Sequence, residues 1–238
     1  MRMTFAFGIN RLAALAVACV AAGCAGRGRM EEGRMGEGIR YLALGDSYTI
    51  GEGVEPGERW PARLAVLLRA RGVAVADPEI VARTGWTTDE LDDGIDAASP
   101  RGPFGLVSLL IGVNNQYRGA PEAIYRTEFT ALLRRAIGFA GGDPLRVVVL
   151  SIPDWGVTPF AEGRDRARIA SEIDAFNAAA RQVTAELGAR WVDVTPVSRQ
   201  AGADPAMLVA DGLHPSGRQY AAWAELALPA AADALDHP

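Results

Sequence analysis

The sequence predicts an α/β protein, a parallel β-sheet with helices on both faces, and three observations carry that prediction. The runs Ile39–Leu44, Phe104–Ile111 and Leu145–Ile152 are almost continuously apolar, as strands buried on both faces are. Between and after them lie stretches with apolar residues at helical spacing, Trp60–Ala70, Pro121–Ala140 and Arg164–Leu187. The two kinds alternate along 238 residues that are 49% hydrophobic and 22% charged, which suits one domain able to bury its core without disulfides.

The chain begins with different material. Arg2 and Arg11 flank the early segment, and Leu12–Gly23 is an apolar stretch ending in small residues, too short to span a bilayer but fitting the apolar region of an export signal. Ala21-Ala22-Gly23-Cys24 resembles a bacterial lipoprotein processing site, with cleavage before Cys24 and lipid on its thiol. Residues 1–23 are therefore expected to be a signal peptide. The mature protein is expected on the periplasmic side of the bacterial cell envelope, membrane-attached through Cys24; ordinary secretion with cleavage nearby is the alternative. The only cysteines are Cys19 and Cys24, so the exported domain has no internal disulfide and no thiol metal site. Gly, Arg and Glu dominate residues 24–38, a linker to a domain at 39–235.

Within that domain the first strand, Ile39–Leu44, is expected to be cut off by Gly45. Trp60–Ala70 is a helix with Pro61 in its first turn and Gly72 as its stop. A weaker strand lies somewhere in 73–82. Thr87–Ile95 is a short helix opened by Thr87 or Thr88, with Asp89 and Glu90 at its positive end. Phe104–Ile111 is the central strand. The helix Pro121–Ala140 stops at Gly141-Gly142, and the strand Leu145–Ile152 follows. The helix Arg164–Leu187, a short strand Trp191–Val194 and a closing helix Ser216–Leu228 complete the order. Sites of such sheets collect beyond the carboxyl ends of the strands, so Ser47, Asn114 and Asp154 are expected at one crevice.

The formal charge is −5 and no Lys/Arg block is present, which argues against a nucleic-acid partner. Nor is there a strong acidic field, so the substrate is not expected to be highly charged. No feature indicates a protein partner.

Ser47 sits where a strand ends and the backbone turns, with Gly45, Gly51 and Gly53 around it. Its hydroxyl is a candidate nucleophile, although most serines beside a turn are helix caps. There are two histidines, and His237 is next to last, so in serine chemistry His214 is the base. Asp211, three residues earlier, is spaced to accept from Nδ1 of the same ring and leave Nε2 free for a serine proton. A surface Asp/His turn is the blander account. One His and one Asp are too few for a metal site. The Asn114 amide, with the backbone N–H groups of Ser47 and Gly85, can donate to a developing oxyanion; otherwise Asn114 makes a turn before the Pro121 helix.

These residues together resemble the SGNH hydrolases, the GDSL-type esterase/lipase family. Gly45-Asp46-Ser47-Tyr48 matches its first block, with Tyr where Leu is commoner, and Gly85 matches the second. Gly112-Val113-Asn114-Asn115 matches the third, with Asn115 for the usual Asp; Asp211-Gly212-Leu213-His214 matches the last. The blocks keep the family's order across 45–214. The resemblance implies a three-layer α/β/α sandwich with a five-stranded parallel sheet, flavodoxin-like. It implies Ser47 as nucleophile, His214 as base and then acid, Asp211 as its orienter, and Ser47, Gly85 and Asn114 as the oxyanion hole. Two-step acyl transfer on a small-molecule ester follows, with no cofactor and no metal required.

The loop Ile152–Phe160 leaves a strand on the active face, so Trp155 and Phe160, with Tyr117 and Trp86, are expected to line the substrate pocket. Loop packing over the sheet edge is the alternative. Asp154 is expected to be structural. Small to medium acyl esters suit the site best, short chains above all. A carbohydrate O-deacetylase or a lysophospholipase would use the same chemistry on another alcohol. A non-catalytic envelope lipoprotein on a hydrolase scaffold is the reading of a different class.

Overall fold

Tyr41–Asp46 forms β1, the strand that the expected layout ended at Gly45. In the computed structural model, which describes residues 38–236, Gly45 stays in the ladder, opposite Ala82 on one side and Leu110 on the other. The glycine is a spacer. A Cβ there would lie 2.2 Å from Thr49 Oγ1 and 2.5 Å from the Leu110 carbonyl oxygen, so it permits close approach rather than ending the strand. The expected signal peptide at 1–23, Cys24 with its lipid, nearly all of the 24–38 linker and His237 lie outside the described residues.

After the one-turn helix α1 (Ser47–Ile50) come α2 (Trp60–Ala70), β2 (Glu79–Arg83) and α3 (Thr88–Ala98). Thr87 opens α3 in a reciprocal capping box with Glu90, which satisfies two N–H groups that a helix start leaves open. β3 (Leu106–Leu110) leads to α4 (Val113–Tyr117), a short helix not foreseen from the sequence, and to α5 (Glu122–Phe139). β4 (Val147–Leu150), α6 (Arg166–Glu186), β5 (Arg190–Val192), α7 (Thr195–Arg199) and α8 (Gly217–Leu235) follow. α8 does not stop at Leu228; it continues through Pro229.

The five strands are parallel in the order β2-β1-β3-β4-β5. α2 and α8 pack together on one face, while α3, α5 and α6 cover the other. That is the arrangement right-handed crossovers produce when the chain steps outward from β1 to β2 and then reverses. β3 is fully buried, and its one polar residue, Ser108, is satisfied by Tyr41 Oη at 2.9 Å. Trp60 of α2 and Trp223 of α8 have no exposed surface; truncating a buried aromatic of that size typically costs about 3–5 kcal/mol. Among the described residues no helix is long and apolar enough to cross a membrane.

The reversal of strand order falls between β1 and β3. Open α/β sheets form their ligand crevice there, beyond the carboxyl ends of the strands. Ser47 follows β1 and Asn114 follows β3, so topology alone puts both at that crevice.

Candidate active site

Ser47 is the first residue of α1, directly after β1. At that position its N–H has no intrahelical acceptor. Gly51, in the left-handed region at φ +66°, closes the turn with its N–H on the Ser47 carbonyl. Asp46 braces the turn from below, its Oδ1 accepting from the Tyr48 N–H at 3.0 Å. Asp46 has no exposed surface. Burial pushes its carboxyl up to about 7, against the pull of the Tyr48 N–H bond.

The histidine arrives on the loop before α8. Val209 N–H donates to the His214 carbonyl at 2.9 Å and Phe160 N–H to the Gly212 carbonyl at 3.1 Å, anchoring that loop. Asp211 Oδ1 accepts from the N–H groups of Leu213 and His214 at 2.8 and 2.9 Å. Its Oδ2 lies 2.6 Å from His214 Nδ1. Partial burial works against this carboxylate, but the ring and the two N–H groups hold it below its ordinary value. On the far side of the ring, Nε2 is 3.0 Å from Ser47 Oγ. The imidazole is buried and the Tyr48 ring packs against it, centroids 5.3 Å apart. The structure thus brings together three groups from two loops 164 or more positions apart: a hydroxyl, a ring that can take its proton, and a carboxylate that can steady the resulting imidazolium.

Gly85 turns at φ +85° just after β2, and its carbonyl accepts from Arg118 Nη2 at 2.7 Å. The Asn114 amide donates through Nδ2 to the Trp86 carbonyl at 2.9 Å, with Asp46 Oδ2 at 3.4 Å. One N–H of that amide is thereby aimed and held. Gly85, Asn114, Ser47 and His214 all border one cavity of about 180 Å³.

The opposite wall is aromatic. Tyr117, Trp155 and Phe160 sit with ring centroids 5.3–6.0 Å apart. Trp155 is buried and its indole N–H donates to Gln116 Oε1 at 2.7 Å. The exposed Arg164 guanidinium lies 5.1–5.9 Å from all three rings and bonds Tyr117 Oη at 3.2 Å, contacts worth about 0.5–1 kcal/mol each at the surface. Gln116 and Arg164 carried no signal in the sequence, because their partners lie in other elements. Asp46 had one, its place inside the Gly45-Asp46-Ser47 block.

A family model described as GDSL-like Lipase/Acylhydrolase matches residues 43–222. The chain belongs to that family, within the SGNH hydrolases. Solved structures agree on the fold of this GDSL hydrolase. The chain is 21% identical to TesA, covering 80% of this chain and 97% of that one at a TM-score of 0.63. For the lipase/acylhydrolase from Enterococcus faecalis the figures are 23%, 80%, 94% and 0.59. For Axe2, an acetylxylan esterase from Geobacillus stearothermophilus, they are 19%, 85%, 96% and 0.58. No curated protein matches.

Asn115, which departs from the family's third block, and Trp86 both have structural answers in this GDSL chain. Asn115 is buried and bonds Thr88 twice: its Oδ1 accepts from Thr88 N–H at 3.1 Å, and its Nδ2 donates to Thr88 Oγ1 at 2.7 Å. The Thr88 hydroxyl then donates onward to Glu128. An amide does both jobs at the start of α3, which a carboxylate without an N–H does not. Trp86, expected to wall the pocket, does not line it. Its indole lies over Gly94 of α3, where an added Cβ would come within 2.1 Å of the ring; only its backbone carbonyl reaches the site, as the acceptor of Asn114. Asp154 Oδ2 pairs with Arg199 Nε at 2.9 Å and its Oδ1 accepts from Gly156 N–H, so its carboxylate serves the loop.

Proposed function

We propose that this GDSL hydrolase cleaves carboxylic esters of small to medium acyl groups through an acyl-Ser47 intermediate. The observation that carries the reading is the relay from Ser47 Oγ through His214 to Asp211, with contacts of 3.0 and 2.6 Å. Ser47 Oγ bonds to the ester carbonyl carbon as its proton passes to His214 Nε2. The oxyanion takes hydrogen bonds from the N–H groups of Ser47 and Gly85 and from Asn114 Nδ2, each such donor being worth about 2.7–4 kcal/mol in the transition state. The ester C–O bond then breaks, and the imidazolium gives its proton to the leaving alkoxide. Water, deprotonated by His214, repeats the attack and frees the acid and Ser47. No step calls on a cofactor.

The size of the cavity, about 180 Å³, supports small substrates, since pockets that enclose drug-sized ligands run to about 300–1,000 Å³. The test is release of p-nitrophenol from the acetyl ester. The parent chain is expected to turn over and Ser47→Ala to lose at least about 10³-fold in kcat/KM. A folded parent chain with no turnover would sink this reading and favour a non-catalytic scaffold.

One observation favours a second reading, O-deacetylation of carbohydrate. Tyr117 and Phe160 remain 43% and 42% exposed beside the cavity, rings on which a sugar face can stack, and Axe2 is among the similar folds. Acetate released faster from an acetylated sugar than from p-nitrophenyl acetate would select it.

We also propose export and membrane attachment through lipid on Cys24, supported by the apolar stretch that ends in Ala21-Ala22-Gly23-Cys24. Cys24→Ser is expected to move the protein from the membrane fraction to the soluble one. Unchanged partitioning would rule out that anchor.

A further inference from the structure

Granted the esterase reading, the depth of the pocket traces to the residue beside the serine. Tyr48 borders two cavities: the one at Ser47 and a second void of about 10 Å³, room for roughly one water. Trp155 and Leu213 are the other residues common to both, so these three form the partition. Trp155 is tied by its indole to Gln116, and Leu213 by its N–H to Asp211. Tyr48 is wedged between the His214 ring at 5.3 Å and the Trp223 ring at 6.2 Å. It is 3% exposed, so it has nowhere to swing when a longer chain enters.

Behind it the void has a mixed lining, with Leu208, Ala201 and Pro215 beside polar groups. Asp154 and Gln219 line it, and the buried Gln219 Oε1 has no partner among the described residues. The acyl group is the part that stays bonded to Ser47 Oγ, one residue from this wall.

We propose that Tyr48 is the specificity-determining residue that limits the acyl pocket to short chains. The experiment compares kcat/KM for acetyl, butyryl and octanoyl p-nitrophenyl esters in the parent chain, Tyr48→Phe and Tyr48→Leu. Phe keeps the ring, so the octanoyl-to-acetyl ratio is expected to stay within twofold of the parent's. Leu removes it. Each methylene newly buried is worth about fourfold, so two admitted methylenes raise the ratio about fifteenfold. Looser packing of the imidazole slows every ester of a variant alike and cancels in the ratio.

A Leu variant with the parent ratio overturns the proposal, as does a Phe variant that shifts the ratio as far as Leu does. If Tyr48→Leu does not fold, Tyr48→Met takes its place: a raised ratio supports the proposal and the parent ratio overturns it. A parent chain that cleaves no ester sinks the esterase reading separately. In that event the rates at which p-nitrophenyl alkylphosphonates of two and eight carbons label Ser47, followed by mass, decide the role of Tyr48 by the same ratio.

Discussion

A carboxyl group with no exposed surface lies directly before Ser47, and burial raises it to about 7. In the unfolded chain an aspartic acid titrates near 3.9. Between about pH 4 and pH 7 the folded protein therefore holds a proton on Asp46 that the unfolded chain has released. Stability from this group is complete below pH 4 and is lost as pH rises through 7. The difference is on the order of 2–4 kcal/mol. An asparagine in its place cannot ionise, so the stability of the parent relative to Asp46→Asn should fall by that order between pH 5 and pH 8 in urea titrations. Parallel curves would contradict it. At this scale the sequence was legible wherever the partners are local. Asp211 and His214 are three apart and their contact follows from the spacing. Gln116 and Trp155 meet across 39 positions, and no local pattern announces such a pair.

At the scale of elements, α8 shows tertiary burial overriding a local signal. Pro229 lacks an N–H for the Glu225 carbonyl and crowds it, which is why a reading of the sequence ends the helix at Leu228. Ala227, Leu228, Ala231 and Ala234 nevertheless form one buried stripe across the proline, against α2, β4 and β5. Glu225 and Pro229 are exposed, so the freed carbonyl faces water and the helix tolerates the break. Pro229→Ala should then stabilise the protein by about 1–3 kcal/mol, visible as a higher Tm. An unchanged or lower Tm would mean that the stripe depends on the proline. The long amphipathic helices were legible within two residues or so at most ends. α4 was not, because five residues hold too little periodicity to register.

Across the whole molecule, four blocks scattered over 45–214 converge because a parallel sheet gathers the loops that follow its strands. His214 was legible from its spacing to Asp211 and from the family's last block; the rule itself needs only the order of elements, so the meeting of Ser47 and Asn114 was foreseeable without a single contact. It does not say which way a side chain leaves the backbone. Trp86 stands next to Gly85 and for that reason reads as a pocket wall, yet a missing side chain on α3 receives its indole instead.

Gly94 thereby acquires a remote influence on turnover. An alanine inside an exposed helix usually adds about 1 kcal/mol of stability, but here its methyl would drive the indole outward and drag the peptide that steers Asn114 Nδ2. Gly94→Ala should lower kcat about tenfold with KM little changed, read by steady-state kinetics on one short ester; a normal kcat would uncouple the two. Directed-evolution libraries limited to positions that touch substrate would never sample this lever.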